Sequence, residues 1–247
     1  MGPKTIGILA GMGARSTAPF IDMVITQCQR QYGATFDDEY PHMMIYSLPV
    51  PFRLDRPLGD ALKKMIQGAL AKLQANGVTF IAMPCNTAHI YYTELAAGLD
   101  VPLLNMIDET LRALPASSKK ITLFATRMTV GAGLYQRGIE ESGREVVLKE
   151  SWQKSVDELI AAIKHSADRS LPQILWDTLV AEVAADDIDT ILLGCTDLNA
   201  IVPHVPEDVM LLDATECLAE AVVREYMLER RENRIHDTTI TPVPSPQ

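Results

Sequence analysis

Of the four cysteines in this chain, Cys85 and Cys195 stand out by what surrounds them. Cys85 lies in Pro84-Cys85-Asn86-Thr87-Ala88-His89 and Cys195 in Gly194-Cys195-Thr196-Asp197, each behind a short apolar run and directly before polar side chains. A cysteine at the end of a strand is by default a small buried hydrophobe. Two in the same setting call for a common explanation. Cys28 and Cys217 fall within amphipathic helical patterns at 18–31 and 214–227, where packing explains them. No CxxC pair exists, and four scattered thiols make a poor zinc site.

Paired thiols suit the inversion of a stereocentre by proton transfer. One group must remove a proton from one face while another delivers a proton to the opposite face, because a single fixed group returns the proton where it found it. A free thiol ionises near pH 8.5, so such a site must favour one thiolate while its partner stays protonated. Helix N-termini following each cysteine are expected to supply part of that bias. Removing a proton beside a carboxylate builds charge on the carboxylate, and donors fixed there stabilise the transition state. Asn86, Thr87 and Thr196 are candidates for those donors. Arg53 and Lys154, in loop-like sequence after the second strand of each half, are candidate cations for a distal carboxylate. His89 follows Cys85 by four residues and reads as an orienting or packing residue.

The elements that must carry these residues are short Ile/Val/Leu-rich runs alternating with helical patterns. Strands are expected at 5–10, 43–48, 78–83 and 101–104, then at 121–125, 145–148, 188–193 and 209–212. The second set echoes the first. Ile6-Gly7-Ile8-Leu9-Ala10, Phe80-Ile81-Ala82-Met83-Pro84-Cys85 and Leu103-Leu104-Asn105 each find a counterpart about 110 residues later. The expected fold class is therefore α/β, with two pseudo-symmetric lobes, each a mainly parallel four-stranded sheet flanked by helices. One lobe would comprise 1–105 with 213–231, the other 106–212, and 232–247 would be a disordered tail. Each cysteine then sits beyond the carboxyl end of a strand, where open α/β sheets build ligand sites, and two facing lobes place both thiols in one inter-lobe cleft.

Composition narrows the partners. With 47% hydrophobic and 22% charged residues over 247 positions the chain can bury a core, and a net charge of −10 argues against nucleic acid or anionic lipid as partner. The opening MGPKTIGILAGMG breaks at glycines without a cleavage pattern, and no run approaches the roughly 20 apolar residues of a membrane helix. A cytoplasmic protein is expected. The strand-glycine-helix pattern at Gly7 to Thr17 is similar to a dinucleotide-binding turn, but the second strand ends in Ser47-Leu48-Pro49, without the acid that would hold a ribose. A turn that lets a small anionic substrate approach fits better.

At these residues the chain resembles the aspartate/glutamate racemase family, in its cofactor-independent aspartate-racemase branch. The resemblance runs from Lys4 to about Met227 and rests on Gly11-Met12-Gly13 with Thr17, the Pro49 to Arg53 loop, Met83 to His89, Gln153-Lys154 and Gly194-Cys195-Thr196. It implies Cys85 and Cys195 as the acid/base pair and Asn86, Thr87 and Thr196 around the α-carboxylate and amine. It also implies Arg53 and Lys154 on the side-chain carboxylate, and Met12, Thr126 and Thr129 lining the pocket. An amino-acid substrate, a homodimer and no pyridoxal phosphate follow from the same likeness, with aspartate favoured and glutamate possible.

The chain departs from the family pattern at Gly13-Ala14-Arg15-Ser16-Thr17, at Arg127 where a glycine is frequent, and at Asp197 where glutamate is common. Arg15 or Arg127 could add a cation for an acidic side chain or reshape the pocket for a neutral one. Alternatives include a broad-specificity racemase, a maleate isomerase and a non-catalytic module that closes on an amino acid. Retention of both thiols disfavours a one-thiol decarboxylase.

Overall fold

The structure, a computed structural model, describes residues 4–50, 59–165, 167–201 and 204–237, with side chains of the last helix described to position 228. The first half contains β1 (Thr5–Ala10), α1 (Thr17–Tyr32), β2 (His42–Ser47), α2 (Asp60–Ala75), β3 (Phe80–Ala82), α3 (Tyr92–Ala96) and α4 (Met106–Arg112). The second contains β4 (Lys120–Ala125), α5 (Arg127–Gly131), α6 (Gln136–Glu141), β5 (Glu145–Val146), α7 (Glu150–His165), α8 (Ser170–Ala184), β6 (Thr190–Gly194), β7 (Met210–Asp213) and α9 (Ala214–Asp237).

All pairings are parallel, in two sheets ordered β2-β1-β3 and β5-β4-β6-β7. The central strands β1, β4 and β6 are buried along nearly their whole length, which is why they read as unbroken apolar runs rather than alternating ones. Matching β1 to β4, β2 to β5 and β3 to β6 superposes the two strand orders, as the repeat in the sequence implies.

The first sheet has three strands, not the four expected. The 101–104 segment forms only an isolated bridge, Ile81 to Leu103. Pro102 accepts from the Ile81 N–H but has no N–H of its own to extend the ladder, and three residues later Asn105 turns the chain into α4 by accepting from the Ile107 and Asp108 N–H groups. At the other end of the molecule α9 runs to Asp237, past position 232 where a tail was expected, and 238–247 lie outside the described residues.

One apolar core spans both halves, joining Ile6, Ile8, Phe20 and Phe80 to Ile121, Leu123, Tyr135 and Leu192, and α9 packs on α1 and α4 to close it. Separate cores lie under α2 and under the α7 and α8 pair. Cys28 is wholly buried in α1 and Cys217 is buried in α9, as packing residues. Among the described residues no helix is long and apolar enough to cross a membrane.

Candidate active site

In each sheet one strand, β3 in the first and β6 in the second, leads into a cysteine. After β3 the chain passes Met83 and Pro84 to Cys85, and after β6 it reaches Cys195 directly. Each thiol is followed by a five-residue 3-10 turn, Thr87–Tyr91 and Thr196–Ala200. Together with Met12, Asn86, Thr87, Thr126, Lys164, Gly194, Thr196 and Asp197, the two cysteines line one cavity between the sheets. About 20 Å3 of it admits the centre of a water molecule. That is room for little more than one water, so a substrate requires the walls to part.

The residues after the cysteines tie the halves together by the same device used twice. Thr87 Oγ1 lies 2.9 Å from Thr126 Oγ1 and 3.0 Å from Thr129 Oγ1, a closed triangle of buried hydroxyls. Thr126 caps α5 by accepting from the Thr129 N–H, which fixes the far side of that triangle. On the other loop, Thr196 Oγ1 donates to Ser16 Oγ at 3.2 Å, and Ser16 in turn donates to the Gly13 carbonyl at 2.8 Å. Each cysteine loop therefore grips the first loop of the opposite half.

Behind Cys85, the Met106 N–H donates to His89 Nε2, so the ring proton sits on Nδ1 and is donated to the Cys85 carbonyl at 2.8 Å. Burial lowers the His89 pKa, and the neutral ring stacks on Tyr92. His89 positions the Cys85 backbone. Asn86, 2% exposed, accepts at Oδ1 from the Tyr135 hydroxyl, while its Nδ2 has no partner among the described residues. An unpaired buried amide costs about 1–3 kcal/mol, an expense relieved when an acceptor enters the cavity.

The Cys195 side is ionic. Asp197 Oδ2 lies 2.5 Å from Lys164 Nζ and 4.0 Å from the Cys195 sulfur. Gly13 makes room for this pair, since a Cβ there would meet Asp197 Oδ1 at 2.6 Å. Burial pushes the Cys85 thiol up to about 11, with backbone N–H groups and Lys164 pulling down and Asp197 pushing up. Burial and then the Asp197 charge push Cys195 up to about 12. The expected helix N-termini are single 3-10 turns, too short to carry a full helix dipole, and desolvation overrides them.

Of the residues named from sequence, Met12, Asn86, Thr87, Thr126 and Thr196 lie on the cavity with both cysteines, and Thr129 stands one hydroxyl behind. Lys154 does not. It sits in helix α7 rather than a loop, exposed and off the buried stripe of Trp152, Val156, Leu159, Ile160 and Ile163. Lys164, at the far end of the same helix, takes the place on the cavity. A cation four residues after Ile160, one helical turn along that stripe, was the available signal. Arg53 lies outside the described residues. Arg15 is exposed, and Arg127 pairs with Glu150 and Asp157 away from the cavity walls. Neither departure from the family pattern adds a cation to the described walls.

The profile of the Asp/Glu/hydantoin racemase family matches residues 9–222. The chain belongs to that family. It is 46% identical over 223 residues to the broad-specificity amino-acid racemase RacX of Bacillus subtilis, covering 90% of this chain and 98% of that protein. Among solved structures it is similar to the aspartate racemase of Picrophilus torridus, with a TM-score of 0.79 at 25% identity over 91% of this chain and 94% of that one. The glutamate racemase isoform RacE1 of Bacillus anthracis shares the fold, with a TM-score of 0.66 at 18% identity over 92% of this chain and 82% of that one. In this chain each half of the fold presents a cysteine loop to one cavity.

Proposed function

We propose that the protein interconverts the L and D forms of an amino acid by two-base proton transfer through Cys85 and Cys195, without an added cofactor. The thiolate of one cysteine takes the α-proton and becomes a thiol. The opposite thiol gives its proton to the other face of Cα and becomes the thiolate, so the enzyme ends as the mirror of its starting state. Between those events the electron pair of the broken C–H bond spreads onto the carboxylate, where Asn86 Nδ2 is the unpartnered donor at hand, with the Thr87 hydroxyl beside it and the Thr196 hydroxyl available only by leaving Ser16. The observation that carries this reading is the convergence of both strand-end thiols on one cavity beside an unpartnered amide.

Resting thiols at about 11 and about 12 are protonated at neutral pH. The α-ammonium of a bound amino acid brings positive charge to the cavity and, with Lys164, favours one thiolate. Lys164 is also the described cation that a distal carboxylate would meet, but Asp197 already holds it. Among the described residues a dicarboxylate would have to displace Asp197 or share its lysine, whereas a neutral side chain need not. The substrate range we infer is therefore broader than aspartate and glutamate, in keeping with the broad-specificity amino-acid racemase of Bacillus subtilis that the chain resembles. A homodimer in the cytoplasm completes the proposal.

The test is a panel of L-aspartate, L-glutamate, a neutral and a basic amino acid, incubated without cofactor and followed by optical rotation. Loss of rotation with acidic and neutral members is the expected result. Loss with aspartate alone overturns the breadth, and binding without any change in rotation favours a binding module.

A further inference from the structure

Tyr135 is wholly buried just ahead of α6 in the second half, yet it reaches both cysteine loops. Its hydroxyl donates to Asn86 Oδ1, one residue after Cys85. Its ring edge backs Gly194, one residue before Cys195, where a glycine Cβ would meet the Tyr135 ring at 3.3 Å and Ala125 Cβ at 3.0 Å. Burial pushes the phenol's pKa up, so the group stays a donor at every working pH.

The polarity of this contact matters. A phenol that donates to Oδ1 leaves the Asn86 NH2 as the end without a partner, and Asn86 lines the cavity. Without the phenol the amide has no described partner to choose which end points where, and the amide oxygen would repel a carboxylate as readily as the NH2 would bind it. Gly194 contributes the second fixed point, because its lack of a side chain lets the ring press against the loop that ends in Cys195.

We propose that Tyr135 is a positioning residue for proton transfer, orienting the Asn86 amide toward the substrate carboxylate and setting the Cys85 and Cys195 loops against one another. The inference rests on the racemase reading above for the identity of the carboxylate. Tyr135 touches no reacting atom, and its effect passes through Asn86 and the loop backbones.

Two measurements on the full chain test it. In the first, kcat/KM is measured for Tyr135→Phe, Asn86→Ala and the double variant, with any amino acid the unmodified enzyme racemises. Tyr135→Phe keeps the ring in the core and removes only the hydroxyl, and a loss of about tenfold is expected. The loss from Asn86→Ala should be larger, and the double variant should be no worse than Asn86→Ala, because the phenol then has nothing left to orient. Multiplying losses would overturn the proposal. The second measurement needs no turnover: peptide-resolved alkylation by iodoacetamide. Tyr135→Phe should speed reaction at Cys85 several-fold and leave Cys28 unchanged. Unchanged Cys85, or Cys28 rising in step, would mark a general loosening and sink the idea. Absence of racemisation by the unmodified enzyme would remove the racemase reading, and alkylation would still decide the role of Tyr135.

Discussion

Cys85 and Cys195 end equivalent strands, precede equivalent turns and grip opposite halves through equivalent threonines, but the next residues equip them differently. The Cys85 loop carries a neutral amide held by Tyr135 and a backbone carbonyl held by neutral His89. The Cys195 loop carries a carboxylate locked to Lys164. The fold repeats the position of the thiol, because strand order and burial dictate it. The charged pair stands on the Cys195 loop only; burial raises both thiols first, and the Asp197 charge follows directly after it at Cys195 but ranks lower at Cys85. Two chemically equal thiols would serve a symmetric reaction equally from either side, whereas this pair is biased before substrate arrives.

Breaking the symmetry outright gives the largest effect. Cys85→Ala and Cys195→Ala should each lower racemisation by about a thousandfold or more, since each removes one of two obligatory proton carriers. Polarimetry in both directions checks this, and a single variant retaining full racemisation contradicts the pairing.

A smaller effect follows from unequal surroundings. Asn86→Ala should cost about 10- to 100-fold in kcat/KM, in the range of a lost transition-state donor. The matching change on the other side, Thr196→Val, removes a hydroxyl that already donates to Ser16 and should cost less. Steady-state kinetics of both would sharpen the contrast, and equal losses would erase it.

Gly13→Ala probes the ionic side. A Cβ at 2.6 Å from Asp197 Oδ1 forces the carboxylate to shift beside Lys164, and an activity loss of about tenfold with little change in melting temperature is expected.

The most diagnostic effects lie in pH. Both thiols are raised, so the thiolate fraction and with it kcat/KM should climb with pH from 7 toward 9, by at most about tenfold per unit. The Asp197 charge raises both thiols, so Asp197→Asn should move the ascending limb to lower pH. The Lys164 charge lowers both, so Lys164→Met should move it to higher pH. Because Asp197 stands second among the causes at Cys195 and third at Cys85, the reaction direction that starts from the Cys195 thiolate should shift more. Shifts of the same sign in both variants would remove the electrostatic account.

Much of this was legible in the chain because the signals were local. β1 was read at 5–10 where it lies, β4 within one residue, and the strand-end positions of both cysteines followed from apolar runs that stop at Pro84 and Gly194. Features set by geometry across the molecule were not. The fourth strand of the first sheet looked like Val101 to Leu104, but Pro102 and the Asn105 cap limit it to one bridge. Lys154 looked right beside Gln153 in the familiar pattern, and helical phase turns it outward while Lys164 reaches the cavity. Tyr135 sits in no motif at all. The sign of the thiol shifts depended on how completely the loops are buried, which a turn of five residues does not reveal.

The central claim is tested most directly by the fate of the α-proton in D2O. Early in the reaction from either enantiomer, a two-thiol site should give product carrying solvent deuterium at Cα while the remaining substrate keeps its protium, because the proton removed on one face is not the one returned on the other. Product that retains the original α-proton would contradict the account.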